Sequence, residues 1–341
     1  THRFFPDNKS NLFTTVSATY QTVSTKIDTI SELGSTKIFF GEKNSETRYA
    51  VSSKYTRKFN SKNTIKVGIE IQRFGINYVD SVAGEAYSPP IYGEYIKDLN
   101  TQENNLDLLE AFSEWQHRLN DKVTLYGGLH FQNYFFNATY AFDPRLSVRY
   151  KMDNSAKLSL AYGMHSQIQP HYIYFTETYK RDSKEYSQTN NELDFSKAHH
   201  FIAGYDQMIG KNFKLKVESY YQHLYNIPVT QNESFFSMIN AGNSFHQEKV
   251  ENLVNEGIGR NYGAEITLEK YLSNNYYFLL TTSLFDSKYQ GSDKVWRNTE
   301  FNTNYVINAL GGYEIKLNEK SSIDMNLRMI SSGGKRNLFI D

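Results

Sequence analysis

The chain has 341 residues, with 37 Lys and Arg against 37 Asp and Glu, so its formal net charge is zero and a nucleic-acid partner is not indicated. It contains no cysteine, which excludes a disulfide scaffold, a thiolate nucleophile and a cysteine metal site. Mean hydropathy is −0.61, yet 27 Tyr and 23 Phe stand against only 6 Pro, a combination that suits strands sending alternate residues to lipid and to water between aromatic girdles.

The first residues, Thr1-His2-Arg3, carry neither an initiator Met nor a signal-peptide pattern, so the sequence is expected to be a piece of a longer precursor. A first strand is predicted from Leu12, followed by a long polar connection over Val23 to Glu46 and a short polar turn at Asn60-Ser61-Lys62-Asn63. From Thr64 the alternation is clean. Ile65, Val67, Ile69 and Ile71 share one face, and Lys66, Gly68, Glu70 and Gln72 the other. A helix would scatter these residues around its axis, whereas a strand sorts them. A long connection is predicted over Asp80 to Asn105, a short turn at Asn120-Asp121-Lys122, a brief outer connection over Asn137 to Pro144, and another short turn at Asp153-Asn154-Ser155.

The pattern continues with a long connection from Pro170 to Ser196 and a short turn at Gly210-Lys211-Asn212. After it, Leu215 and Val217 oppose Lys214, Lys216 and Glu218. Beyond a long connection from Pro228 to Asn261, Tyr262, Ile266 and Leu268 oppose Glu265, Thr267 and Glu269. The remaining punctuation is a short turn at Ser273-Asn274-Asn275, a long connection over Lys288 to Asn302 and a short turn at Asn318-Glu319-Lys320. The last strand runs towards Ser331, with Ile323, Met325, Leu327 and Met329 opposing Asp324, Asn326 and Arg328. No apolar run approaches the roughly 20 residues of a spanning helix; the best, Tyr276 to Leu280, is far shorter.

Short turns alternating with long connections are how outer-membrane barrels are built, the long loops lying outside the cell. The expected fold is all-β: an antiparallel transmembrane β-barrel, with residues 1–341 forming a single barrel region of about thirteen strands. An odd count leaves two open edges, which lipid does not tolerate, and this adds to the expectation of a longer chain.

Two segments carry a more specific signal. One is Asp143-Pro144-Arg145-Leu146-Ser147-Val148-Arg149-Tyr150, followed by Leu158-Ser159-Leu160-Ala161-Tyr162-Gly163. The other is Gly259-Arg260-Asn261-Tyr262-Gly263-Ala264-Glu265 continuing into Leu268-Glu269-Lys270, with the spacing Gly-x-x-Tyr-Gly-x-Glu ahead of a descending strand. Both resemble the mid-barrel region of TonB-dependent outer-membrane receptors, and the resemblance extends over essentially the whole chain. It implies a 22-stranded barrel plugged by an N-terminal globular domain. It also implies import of a scarce nutrient (siderophore, glycan, peptide or metal chelate) driven by a TonB-type energy-transducing protein acting through the plug. A surface lipoprotein is a further implied partner, and outer-membrane lipid the surroundings. These residues show no plug-like segment, no energy-coupling box and no aromatic-ended final strand, so they resemble the middle and later part of such a barrel.

Lys66, Glu70, Arg149, Lys216, Glu218, Glu265 and Arg328 are the candidate lumen-lining charges; they suit a substrate path, a solvated face with cross-strand ion pairs, or contacts to a plug. Tyr172, Tyr174, Phe175, Tyr179 and Arg181 in one long loop, with Phe235 and Phe236 in the next, suit ligand recognition or, alternatively, loop packing and an aromatic girdle. His199 and His200 are adjacent, so a strand sends them to opposite faces, and His165 and His171 have no carboxylate at a ligand spacing. No nucleophile elbow, metalloprotease helix or phosphate loop is present, so no catalytic residue, metal or cofactor is expected. The competing readings are a passive porin, a structural barrel of a secretion or surface-assembly complex, and a soluble β-sandwich lectin, which the alternating loop lengths disfavour.

Overall fold

The computed structural model describes residues 1–30, 36–83, 94–100, 106–153, 155–180, 185–242 and 250–336; of these, 27–30, 36–40, 80–83, 94–100, 177–180 and 185–186 are described by their backbone alone. In chain order the strands are β1 (His2–Asp7), β2 (Ser10–Ile30), β3 (Thr36–Lys58), β4 (Asn63–Ala83), β5 (Glu94–Asn100), β6 (Leu106–Arg118), β7 (Val123–Tyr134), β8 (Thr139–Lys151) and β9 (Ala156–Gln167). After a one-turn helix α1 (His171–Tyr174) come β10 (Glu177–Lys180), β11 (Glu185–Gln188), β12 (Ser196–Ile209), β13 (Phe213–Thr230), β14 (Leu253–Ser273), β15 (Tyr276–Gln290), β16 (Trp296–Asn298), β17 (Tyr305–Asn318) and β18 (Ser321–Ser332).

The main sheet holds sixteen strands, with β5 and β16 as side pairs on β4 and β15, leaving fourteen in one path from β1 to β18. Neighbours on that path are consecutive apart from the loop elements between them, as in an up-and-down barrel wall. The path has one strand more than the predicted thirteen because β1 lies ahead of Leu12 and pairs with β2, His2 opposite Thr14. Its sequence, HRFFPD, has no alternation to reveal it.

Turn chemistry fixes the short-turn end. Asn60 Oδ1 accepts the N–H groups of Lys62 and Asn63 at 2.9 and 2.8 Å, and Asn120 Oδ1 those of Lys122 and Val123, both at 2.8 Å. Asp153 repeats the device on Ser155 and Ala156. These are Asx turns, in which a short polar side chain stands in for a backbone acceptor. Asn274 and Asn275 take positive φ, 52° and 67°, which Asn tolerates best among residues with a Cβ.

The connection predicted over Val23 to Glu46 is mostly strand: β2 and β3 stay paired out to Ile30 and Thr36. Above the membrane water bathes both faces of a hairpin, so pairs such as Thr22 opposite Ser45 need no apolar side.

Register sorts the side chains into two faces. Tyr49, Val67, Ile69, Ile71, Leu146, Leu160, Phe201, Ile266, Leu284, Met325 and Leu327 lie on the outer one, all large, apolar and exposed in the isolated chain. The opposite face is polar and lines the lumen. Two rows of register partners illustrate it. The first runs Lys66, Glu114, Gly128, Arg145, Gly163, His200, Gln222, Asn261, Ser287 from β4 to β15. The second runs Arg149, Ser159, Gly204, Glu218, Glu265, Ser283 from β8 to β15.

Candidate functional site

All seven charges singled out in the sequence, Lys66, Glu70, Arg149, Lys216, Glu218, Glu265 and Arg328, project from the luminal face by register. They divide into local pairs rather than one cluster. Lys66 Nζ meets Glu114 Oε1 at 2.8 Å across β4 and β6, and Arg48 reaches Glu70 at 2.8 Å across β3 and β4. Lys216 pairs with Glu218 on its own strand. Arg149 lies 5.7 Å from the Tyr126 ring centroid, a cation–π contact. Further towards the long loops a hydrogen-bonded chain continues the row: Asn261 donates to Gln222 at 2.9 Å, Ser287 to Asn261 at 2.7 Å and Thr299 to Ser287 at 2.8 Å.

At the long-loop end the character changes from a one-residue-thick wall to a packed core. The segment after β9 folds inwards and buries Ile173, Tyr174, Phe175, Leu193 and Phe195 against Leu106, Leu108 and Tyr134 of the wall. Tyr134 stacks obliquely on Tyr174 with ring centroids 5.4 Å apart, and Phe136 on Phe175 at 5.1 Å. His171 reaches across to β3, its Nδ1 3.3 Å from Glu46 Oε2. Buried amides hold the fold-back. Asn190, 1% exposed, donates to the carbonyls of Ile173 and Val250 and accepts the N–H of Leu253. Asn255 donates to the carbonyls of Asp194 and Asn226 and accepts the N–H of Asp194. Two long loops are thereby joined into one body, with the Asn190 and Asn255 side chains each matched to backbone partners.

The loop residues named from the sequence separate on this background. Tyr174 and Phe175 are fully buried and Tyr172 is half-buried in the same body, so their rings hold the loop together rather than face the lumen. Burial pushes the Tyr174 hydroxyl above its ordinary range, partly offset by the N–H that Gln169 donates to it. Phe236 packs on the core and Phe235 remains exposed. Tyr179 falls in β10, described by its backbone alone, and Arg181 lies outside the described residues.

Beneath the folded loops lies a cavity of about 850 Å³ on the luminal side. Its polar wall is Gln72, Glu110, Gln132, His165 and His200, and its apolar wall includes Phe74, Leu108, Met238 and Ile239. None of the polar residues was singled out as a ligand-binding candidate; Met238 lies in the second long loop, whose aromatics were. The signal that finds them is cross-strand register: His165 opposes Ala198, one diagonal from His200, and the two imidazoles lie 4.5 Å apart. His199 points to the other face and stacks with Tyr225 at 5.1 Å, as the strand period requires. Among the described residues no group of three or more His, Asp or Glu is arranged to hold a metal ion.

No protein-family model matches the chain and no curated protein does. Solved structures do. The ferric yersiniabactin uptake receptor FyuA from Yersinia pestis superposes with a TM-score of 0.66 at 11% identity, over 97% of this chain and 48% of that one. The ferric-catecholate import receptor Fiu from K12 E. coli gives 0.64 at 10% identity, over 95% and 51%. The copper transporter OprC gives 0.61 at 13% identity, over 91% and 48%. The chain thus spans about half the length of the solved receptors it resembles. With an antiparallel wall of alternating faces, long loops at one end and this match, the chain has the fold of the barrel portion of a TonB-dependent outer-membrane receptor.

Proposed function

We propose that this chain forms part of a receptor that imports a scarce nutrient through the outer membrane by TonB-coupled active transport. The observation that carries the reading is the pair of inward-folded loops closing over a luminal cavity of about 850 Å³. A passive pore works by leaving its mouth open, whereas a selective importer needs a concave, mixed polar and apolar pocket that orients its ligand. The cavity supplies amide and imidazole hydrogen-bonding groups on one side and Phe74, Leu108 and Met238 on the other. The solved receptors it resembles take up ferric chelates or copper, and a chelate of this kind is the leading substrate class for this chain. Phe235, exposed in the second long loop, is the residue to meet ligand first.

The test is uptake by cells expressing the full-length protein, supplied in turn with a ferric catecholate, a copper salt, a maltooligosaccharide and an oligopeptide. Accumulation of one of them that an uncoupler abolishes is the expected outcome. Accumulation that persists in uncoupled cells and scales linearly with external concentration would replace active import by passive diffusion.

A further inference from the structure

The outer face carries a feature that luminal transport does not use. On the register row at the long-loop end, His199, His223, Arg260 and Lys288 are direct neighbours on β12, β13, β14 and β15. All four project outwards, since each shares parity with the apolar outer residues of its strand, Phe201, Tyr221, Tyr262 and Leu284. One basic or imidazole side chain on each of four adjacent strands makes a continuous row of nitrogen groups, with the fixed charges on Arg260 and Lys288. The acid beside it is Asp286, one step below, which accepts from the Tyr262 hydroxyl at 2.9 Å and pairs with Lys288 at 3.3 Å. Arg260 has no carboxylate partner among the described residues. Its guanidinium lies 4.4 Å over the Trp296 ring and its buried Nε has no hydrogen-bond partner there.

Depth places this row at the membrane surface. His199 is ten residues from Ile209, the short-turn end of β12; at about 3.4 Å per residue and a tilt of about 40° that is a height of roughly 26 Å, close to the ~25 Å apolar band of a barrel. Directly below the row come the aromatic register partners Tyr162, Phe201, Tyr221 and Tyr262. Below those the outer face dips, because Ala203, Ser219 and Ala264 are register neighbours with small side chains. Ala203 and Ser219 line an apolar groove of about 790 Å³ that continues over Gly127, Leu146 and Leu160.

We propose that this face holds an anionic phosphorylated acyl lipid of the outer leaflet, its phosphate against His199, His223 and Arg260 and an acyl chain along the groove. Charge complementarity selects the occupant: a guanidinium and two imidazoles suit a phosphate, at the level where lipid headgroups sit and directly above a depression of alkyl-chain character. A protein partner or a second copy would need a matching acidic row at headgroup depth, a lipid without a phosphate would leave Arg260 unsatisfied, and a zwitterionic lipid would bring a cation of its own against the row. The proposal does not depend on what the lumen transports.

The test is lipid retention by the detergent-purified full-length protein, followed by native mass spectrometry. The probes are lipid A, phosphatidylglycerol and phosphatidylcholine, with inorganic phosphate as competitor. Retention of lipid A or phosphatidylglycerol at least tenfold above phosphatidylcholine, undisturbed by millimolar phosphate, is expected of the wild type. Arg260→Gln with His223→Gln should lower that preference about tenfold. Ala203→Leu with Ser219→Leu, which fills the groove and keeps every charge, should lower retention of all the lipids. Boiling-dependent gel mobility checks that each variant remains a folded barrel. Equal retention of charged and zwitterionic lipid by the wild type would overturn the proposal without recourse to any variant. Displacement by free phosphate would reduce the feature to an anion site, and a dimer that excludes lipid would assign the face to a second copy; either result also overturns it.

Discussion

The mouth and the membrane-spanning wall are made from the same strands but are held by different physics. In the mouth, Tyr134, Tyr174, Phe175 and Phe195 are buried to 1% exposure or less, and a core of protein contacts does the holding. In the wall, Ile69, Leu160 and Leu327 remain 48%, 59% and 75% exposed in the isolated chain, because lipid completes their burial. What stabilises the wall internally is the ladder of backbone hydrogen bonds, which lipid makes obligatory. The mouth should therefore respond to cavity-forming substitutions and the wall to polarity, and each region should ignore most of what damages the other.

The sharpest way to break this contrast is Phe195→Ala, which should cost the loop body about 3–5 kcal/mol. Hydrogen exchange of residues 168–195 and 250–255 should rise strongly while β6 to β9 stay protected. Exchange rising equally in both would mean the two regions are one cooperative unit. Next comes Leu160→Arg on the lipid face, expected to cost roughly 2–4 kcal/mol if it lies near the midplane, measured by denaturant titration in lipid vesicles, with the loop body unaffected. Asn190→Ala should follow at about 1–3 kcal/mol, since it leaves the buried Leu253 N–H without its acceptor and two carbonyls without their donor. Protease nicking near Val250 would report it. Lys66→Ala should be smaller still: its pair with Glu114 is 39% and 40% exposed, so a double-mutant cycle should return no more than about 1 kcal/mol.

The gentlest probe is acid. Asp153 is held below the usual carboxylate range by hydrogen bonds from Ser155 and Ala156 in the short turn. A depressed folded value means the turn's contribution is present above the ordinary carboxylate pKa and lost as pH falls through the lowered one. Amide exchange at Ser155 and Ala156 should thus stay slow through mildly acidic pH and quicken only in strong acid, a response that Asp153→Asn removes.

What was legible in the sequence follows the same division. Where lipid lies on one side and water on the other, alternation is enforced, and Val67, Ile69 and Ile71 declare both the strand and its faces. The luminal placement of Lys66 and Glu218 follows from the same rule. The short turns were readable because Asn60, Asn120 and Asp153 act on residues two and three positions away. Where water reaches both faces, as in the outer halves of β2 and β3, the alternation vanishes and strand reads as loop. The loop body was legible only as one of two alternatives, loop packing against ligand recognition. Tyr174 and Phe175 suit either reading until Tyr134 and Phe136, some forty residues earlier, are seen to close over them. The luminal cavity was hidden for a related reason, since His165 and His200 become neighbours only once β9 and β12 are in register.

The contact between His171 and Glu46 joins positions 125 residues apart. Closing so long a span is entropically costly until the intervening strands already hold its ends near one another. The mouth is therefore the last part of the molecule able to settle. The tie between His171 and Glu46 is thus expected to close only on a wall already in register, so an agent that binds the segment after β9 before then would leave the mouth uncapped.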